Sequence, residues 1–179
     1  MTSYPRPVMR IFRALPQGIK QRAVRAASPS YTLGAQARIE RDDGRILLVK
    51  ASYRWRWGLP GGLLDQGESP AQAAIREARE ETNLDIELVG DPTVIVETTA
   101  QRVNFIFDAV PAAGADPDKI EPQASEILEL GWFDVDKLPD TVDGEYEKIL
   151  LRQASANADS QLLVTTEILS DRPEGEARR

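Results

Sequence analysis

The sequence of 179 residues contains no cysteine and no histidine. Without cysteine, the chain has no disulfide, no thiolate nucleophile and no zinc site built on thiolates. Without histidine, it lacks the commonest general base and the commonest nitrogen ligand for a metal ion. Any catalysis must therefore depend on carboxylate, Lys, Tyr or Ser side chains, or on a hard cation held by oxygen atoms.

Long apolar segments are also absent. No stretch stays apolar over the roughly 20 residues that a membrane-spanning helix requires. The first residues lack the apolar core and the small-residue cleavage site of a secretory signal, so we expect a cytoplasmic protein. The composition of 41% hydrophobic and 28% charged residues is typical of a globular domain with a substantial core.

The charge of the chain is acidic and unevenly distributed. The formal net charge is −7, and an acidic protein repels the phosphate backbone of nucleic acids, so we expect no nucleic-acid polymer as a partner. Residues 1–39 nevertheless contain seven basic side chains and no acidic one. We predict a basic N-terminal arm over residues 1–30, a folded domain over 31–155 and a C-terminal segment over 156–179 that ends in a flexible tail.

The basic arm contains a short amphipathic pattern. Apolar side chains with the i, i+3, i+4, i+7 spacing of one helix face occur at Val8, Ile11, Phe12 and Leu15. Pro16 and Gly18 are expected to interrupt this helix. The favoured interpretation is that the apolar stripe packs on the folded domain. The alternative is contact of residues 1–27 with an anionic membrane surface or a partner protein.

The rest of the chain alternates between strand and helix patterns. The predicted strands cover residues 31–40, 45–51, 86–89, 93–98, 103–110 and 127–133, and the predicted helices cover 69–82 and 144–154. A turn signal at 42–44 joins the first two strands into a predicted hairpin. Ser69 is the expected N-cap of the first of these helices, Pro70 its first residue and Asn83 its left-handed stop.

Three glutamates share one face near the end of that helix. Glu77, Glu80 and Glu81 are spaced by three and four residues, so their side chains repel one another. They also lie at the negative end of the helix dipole, which disfavours carboxylates. A bound divalent cation would offset both effects, and all-oxygen ligands select Mg²⁺, Mn²⁺ or Ca²⁺. A solvated helix face, balanced by Arg76 and Arg79, is the alternative.

The segment around these glutamates resembles a known motif. Residues 62–84 read GLLDQGESPAQAAIREAREETNL. This is similar to the 23-residue Nudix box, in which Gly, five residues, Glu and seven residues precede Arg-Glu-aliphatic-x-Glu-Glu-x-Gly-aliphatic. Two positions depart from the pattern: Ala78 is a small version of the aliphatic residue, and Asn83 replaces the terminal Gly with the next-best residue for a left-handed cap.

The resemblance implies a fold and an activity. The fold would be an α/β/α sandwich with a mixed sheet and a loop–helix–loop catalytic element. The activity would be hydrolysis of the pyrophosphate in a nucleoside diphosphate linked to another group, such as a nucleotide sugar or a (d)NTP, with Mg²⁺ or Mn²⁺ as the cofactor. The alternative is a nucleotide-sensing module with the same fold and no catalysis. The sequence leaves open whether the protein is a monomer or a homodimer.

The resemblance also assigns roles to individual residues. The implied metal-site residues are Gly62, Glu68, Glu77, Glu80 and Glu81. The implied catalytic residues are Arg76, Glu80, Glu81 and Glu126. Glu126 lies six residues before Trp132, where related enzymes often carry an acid that binds a metal or orients the attacking water; a solvated loop carboxylate is the alternative for it.

A polar and aromatic loop before the box is the candidate substrate-binding segment. Its candidate residues are Tyr53, Arg54, Trp55 and Trp57. The aromatic rings could stack on a nucleobase. For Trp57, next to the Gly-Leu-Pro segment, a place in the core is an equal alternative.

Overall fold

The computed structural model describes residues 16–28, 30–53, 56–139, 141–142 and 164–165. The chain divides into two compact units between Tyr31 and Thr32. The first unit contains helix α1 (Gln17–Ala27), which begins directly after Pro16. Pro16 is the N-cap of this helix, with an extended ψ of 148°, and its carbonyl accepts from the Ile19 and Lys20 amides. The predicted interruption at Pro16 therefore stays a prediction, whereas Gly18 lies inside α1 and does not interrupt it. The predicted apolar stripe of residues 8–15 lies outside the described residues.

The second unit contains the remaining described elements. The strands are β1 (Thr32–Ile39), β2 (Arg45–Ala51), β3 (Trp57–Gly58), β4 (Gly61–Leu63), β5 (Ile86–Glu97), β6 (Arg102–Pro111), β7 (Ile127–Asp134) and β8 (Val164–Thr165). The helices are α2 (Pro70–Thr82) and a 3-10 turn at Val135–Lys137. None of the helices in the described ranges has both the length and the apolar character needed to cross a membrane.

Five strands form a mixed sheet in the order β4-β1-β6-β5-β8. Strands β1 and β6 are parallel, with Thr32 opposite Arg102 and Ile39 opposite Ala109. Strand β4 pairs antiparallel with the other edge of β1, and β5 pairs antiparallel with β6. The predicted mixed sheet is therefore confirmed.

The other three strands form a second, antiparallel sheet in the order β3-β2-β7. The predicted hairpin between the first two strands is wrong, since β1 and β2 belong to different sheets and share only an isolated bridge between Glu40 and Ile46. Each strand instead pairs along its length elsewhere, β1 with β6 and β2 with β7. The turn signal correctly predicted that the chain reverses direction, but the strands on either side of the turn do not pair with each other along their length.

Helix α2 begins and ends at its predicted boundaries. Ser69 and Gln72 form a capping box at its start, and Asn83 closes its end with a φ of 58°. The helix packs on the mixed sheet through small side chains, and Ala73, Ala74 and Ala78 have no exposed surface. The alanine at the aliphatic position of the motif thus allows a close approach of the helix to β1 and β2, where Ala37 and Leu47 join the same core cluster.

Two differences from the predicted elements occur late in the chain. The strands predicted at 86–89 and 93–98 are one strand, β5, with a register irregularity between Val89 and Thr93. Strand β8 was not predicted; it pairs parallel with β5 opposite Val94 and Ile95. The predicted helix over 144–154 and the terminal tail lie outside the described residues.

Candidate active site

A cavity of about 510 Å³ lies over β1, β4, β6 and the end of α2. Four carboxylates line it, and we call them the glutamate lining: Glu77, Glu80, Glu81 and Glu126. Alternate residues of the adjacent strands β1 and β6 also line it, and we call them the strand lining: Gly34, Gln36, Arg102 and Asn104. The cavity is of the size that binds small organic ligands.

The glutamates of α2 reach the cavity because they occupy one helix face. Glu81 is buried, with 8% of its surface exposed, and its Oε2 accepts a hydrogen bond of 2.9 Å from the Gly61 amide. Glu77 lies so close to Gly62 that a Cβ at residue 62 would overlap the Glu77 carboxylate. Gly62, predicted as part of the metal site, therefore lines the cavity with backbone alone and leaves room for Glu77.

Arg76 connects the predicted acidic residues. Its Nε and Nη2 donate to the two carboxylate oxygens of Glu68, each at 2.9 Å, and its Nη1 donates to Glu77 at 2.9 Å and Glu80 at 3.1 Å. Nη2 also donates to the Leu63 carbonyl at 3.1 Å. The forked guanidinium can satisfy several acceptors at once. Arg76 thus fixes two glutamates of the cavity relative to the loop that carries Glu68.

The surroundings of Glu68 and Glu77 shift their pKa values in opposite directions. The hydrogen bonds from Arg76 hold the pKa of Glu68 below its usual value. Burial raises the pKa of Glu77, and the contacts with Arg76 oppose this rise only in part. Neighbouring Glu80 and Glu68 add to the rise in the Glu77 pKa by like-charge repulsion. A positive charge in the cavity would favour ionised Glu77.

The other predicted residues fall in three groups. Glu126 lines the cavity just before β7, and its carbonyl accepts from the Ser52 amide at 2.6 Å. Tyr53 also lines the cavity and is exposed. Trp57 is not among the residues that line it. Its indole packs edge-on against Phe133, with 4.9 Å between ring centroids, and lies against a cluster of core residues. This is the core position that the sequence analysis gave as the alternative for Trp57. Arg54 and Trp55 lie outside the described residues.

Comparison with known proteins agrees with this geometry. Residues 31–153 match the NUDIX domain family. The chain belongs to the Nudix family. The Nudix relatives show that the protein is a pyrophosphohydrolase enzyme, and the predicted Nudix-type α/β fold is confirmed.

Individual relatives are similar over most of this Nudix domain. A MutT-like protein of Streptomyces ambofaciens is 28% identical over 123 residues, which cover 69% of this chain and 77% of that protein. A Bacillus subtilis (strain 168) protein named "Putative 8-oxo-dGTP diphosphatase" is 33% identical over 109 residues, 61% of this chain and 70% of that protein. A crystal structure of a Nudix hydrolase from Nitrosomonas europaea superposes with a TM-score of 0.64 at 22% identity, covers 77% of this chain and 78% of its own, and shows the shared fold.

The chemistry of the Nudix cavity fits a hard divalent cation. Its acidic groups are all carboxylates, and a half-buried Glu77 beside a buried Glu81 is an unfavourable placement for two anions that a further positive charge would relieve. Within the described ranges, no three acidic side chains already converge closely enough to hold an ion. Arg76 occupies oxygens of Glu77 and Glu80. Binding of an ion would therefore require these carboxylates to converge further.

The strand lining was missed by sequence reasoning. Gln36, Arg102 and Asn104 belong to no contiguous motif, and parallel pairing brings them together from two distant strands. A weak signal was present, since Gln36 is a polar residue between Ala35 and Ala37, both fully buried. A polar residue within an otherwise apolar strand indicates a site where the strand faces something other than the core.

Proposed function

We propose that this Nudix hydrolase cleaves the pyrophosphate linkage of a nucleoside diphosphate joined to another group, such as a nucleotide sugar or a (d)NTP, with Mg²⁺ or Mn²⁺ as its cofactor. The observation that carries the proposal is a single cavity lined by four carboxylates together with a cation and amides of the neighbouring strands. Such a cavity can take a polyphosphate at one group of residues and the rest of a small molecule at another.

Glu77, Glu80 and Glu81 are the proposed metal ligands. An ion held there would neutralise charge on the pyrophosphate and make a bound water more acidic. Gly61 fixes the orientation of Glu81 through its amide, and Arg76 keeps Glu77 and Glu80 on the same side of the helix. Glu68 is fully engaged by Arg76, so its proposed contribution to the metal site is to position that guanidinium.

Glu126 is the proposed residue that orients or deprotonates the attacking water. It is exposed, it lines the cavity and it has no side-chain ion pair within the described residues. Its carboxylate can therefore accept a proton from a water in the cavity. Its backbone is held against Ser52, which fixes the position from which the side chain extends.

Arg102 is the proposed phosphate contact. It is the one cationic side chain among the described residues that line the cavity, and no ion pair within the described ranges engages it. Guanidinium groups bind phosphate oxygens by charge-assisted hydrogen bonds. Arg102 would therefore hold a phosphate that the carboxylates, being anionic, repel.

The name of the Bacillus relative suggests oxidised deoxyguanosine triphosphate as one substrate to test. The substrate class proposed here is broader, small-molecule nucleotides without a nucleic-acid polymer. Purified protein is incubated with nucleotide sugars, dinucleotides and (d)NTPs in millimolar Mg²⁺, and nucleoside monophosphate is measured by anion-exchange chromatography. We expect release from at least one class, loss of release in excess EDTA, and recovery on addition of Mg²⁺ or Mn²⁺.

Two outcomes would contradict the proposal. Full activity in excess EDTA would exclude the metal-dependent mechanism. Binding of nucleotides without release of any product would instead favour the sensing module with the same fold.

A further inference from the structure

We propose that Gln36 and Asn104 select substrates whose nucleoside part presents a hydrogen-bond donor to the cavity, and that Glu97 is the positioning residue that orients Asn104 for this role. The inference rests on the proposed function, because it concerns the same cavity. It identifies the chemistry of the substrate group, an exocyclic amine of the base or a hydroxyl of the sugar.

The orientation of the Asn104 amide is fixed by chemistry. Asn104 is 7% exposed, and its Nδ2 donates a hydrogen bond of 3.0 Å to Oε1 of Glu97. An ionised carboxylate only accepts hydrogen bonds, so the amide must present its NH₂ group to Glu97. The Oδ1 of Asn104 therefore has to point away from Glu97.

That oxygen lies beside Gly34 at the cavity. Gly34 is the register partner of Asn104, and a Cβ at residue 34 would be only 2.6 Å from Oδ1. The glycine thus leaves open the place that a side chain would fill. None of the hydrogen bonds among the described residues reaches Oδ1, so Asn104 offers this oxygen as an acceptor at the cavity.

A second acceptor lies two residues along β1. Gln36 also lines the cavity, and its buried Oε1 has no hydrogen-bond partner among the described residues. A buried acceptor without a donor destabilises a fold, so such a residue calls for an explanation other than packing. A hydrogen-bond donor on a bound ligand is the explanation that fits this proposal.

Both amides line the same cavity from adjacent strands, and in the proposed role each accepts from the ligand. An amino group of adenine, cytosine or guanine offers N–H donors to such a pair, as does a ribose hydroxyl. A carbonyl oxygen in place of the amine would instead face two acceptors and leave all three oxygens unpaired. Sites built on buried hydrogen-bonding groups reject such analogues more strongly than apolar pockets do.

The test compares nucleotides that differ in one donor. The specificity constant kcat/KM is measured for ATP against ITP and CTP against UTP, where an amine is exchanged for an oxygen, and for ATP against dATP, where the 2′-hydroxyl is removed. We expect the donor-bearing member of at least one type of pair to be favoured by about tenfold or more. The amine pairs and the sugar pair distinguish the two sources of the donor.

Two variants test the residues. Glu97→Gln lets the Asn104 amide adopt either orientation, so the preference should fall to about threefold or less, while Glu87→Gln on the same strand should keep it. Gln36→Met should also reduce the preference by several-fold, yet leave the thermal midpoint unchanged or raised, because it removes an unpaired buried oxygen. Gln66→Met, in the exposed turn before α2, is its control.

The outcomes separate this inference from the proposed function. Hydrolysis of both members of every pair with equal kcat/KM would overturn the inference alone, as would a preference that survives both Glu97→Gln and Gln36→Met. If the protein turns over no nucleotide, the proposed function fails. The same pairs are then compared by calorimetric Kd with Mg²⁺ present: a donor preference lost in both variants supports the inference, and equal affinities or no binding overturn it.

Discussion

The glutamate lining and the strand lining share one cavity but are built in different ways. Three of the four glutamates come from one helix, and contacts within a short segment hold them, through Arg76 and the Gly61 amide. The strand lining comes from β1 and β6, where residues 70 positions apart, Gly34 and Asn104, are direct neighbours. The three proposed metal ligands therefore lie in one local motif, and Glu126 alone of the glutamate lining comes from elsewhere. The contacts that we propose to distinguish one substrate from another depend on long-range pairing, and substitutions there can leave that motif unaltered.

The largest effect should come from the buried member of the glutamate lining. Glu81→Gln removes a charge from the proposed metal site but keeps a side chain that can accept from the Gly61 amide. We expect kcat to fall by on the order of 10³-fold for every nucleotide hydrolysed, with a far-UV CD spectrum like that of the wild type. Steady-state kinetics at saturating Mg²⁺ measure the effect. If kcat fell for one nucleotide only, Glu81 would contribute to substrate choice, and the proposed division of roles between the two linings would be wrong.

Glu126→Gln should give the next largest effect. As the residue that orients or deprotonates water, Glu126 acts in the transition state, so kcat should fall by roughly 10²-fold with little change in KM. Glu129→Gln is the matched control, because Glu129 lies on β7 and pairs with Lys50. A Glu126→Gln variant with wild-type kcat would make Glu126 a solvated loop carboxylate and leave catalysis to the helix.

The strand lining predicts a different kinetic signature. Arg102→Ala should raise KM by about tenfold for nucleotides generally and leave kcat within about threefold, because the lost phosphate contact exists in the ground state as well as the transition state. Lys119→Ala, a substitution of an exposed cation paired with Asp116, is the control. If kcat fell as far as it does in Glu126→Gln, Arg102 would belong with the catalytic residues.

All the proposed catalytic and binding residues lie beyond residue 31, so deletion of residues 1–27 should leave kcat/KM unchanged. If the stripe at Val8, Ile11, Phe12 and Leu15 packs on the folded domain, the thermal midpoint should fall by a few degrees, as expected for about 1 kcal/mol. Differential scanning fluorimetry measures it, and sedimentation with anionic vesicles tests the alternative. An unchanged midpoint together with lost vesicle binding would assign the arm to a membrane.

The smallest effect is expected at Asn83, the residue that departs from the Nudix motif. Asn83→Gly keeps the left-handed cap but removes the 3.2 Å hydrogen bond from Nδ2 to the exposed Glu121. The free energy of unfolding should change by less than about 1 kcal/mol, and kcat by less than about twofold. Asn83→Ala should be the more destabilising variant in urea denaturation, since alanine disfavours this φ. Equal stability of the two would show that the cap conformation contributes little.

The accuracy of the sequence analysis differs between the two linings for a physical reason. The boundaries of α2, its capping box and the shared face of Glu77, Glu80 and Glu81 follow from spacing within one element, which the sequence displays directly. Strand β2 was also predicted at its observed limits. The pairing of β1 with β6 depends on which distant strands meet, and local patterns carry no such information. Gln36 and Asn104 were missed for that reason.

The assignment of Trp57 shows the same limit at a single residue. An aromatic side chain in a loop predicts stacking on a base and packing in a core equally well. The choice depends on Phe133, 76 residues further along the chain, whose ring lies against the indole. The error in the predicted hairpin has the same origin, because Asp42–Gly44 defined the turn while the longer ladders with β6 and β7 separated β1 from β2.

The parallel pairing of β1 with β6 also determines when the cavity can exist during folding. Two parallel neighbours require a crossover, and here that crossover contains β2, β3, β4, α2 and β5. Helix α2 is capped by residues next to it in the sequence, so it can form early. The β1–β6 ladder can form only when the more than 60 residues between the two strands close into a loop, which is a slower step. A nascent chain that has emerged only as far as α2 carries the complete Nudix motif. It does not yet contain β6, which supplies half of the strand lining. We therefore expect the cavity to form only after this long-range ladder has closed, well after α2.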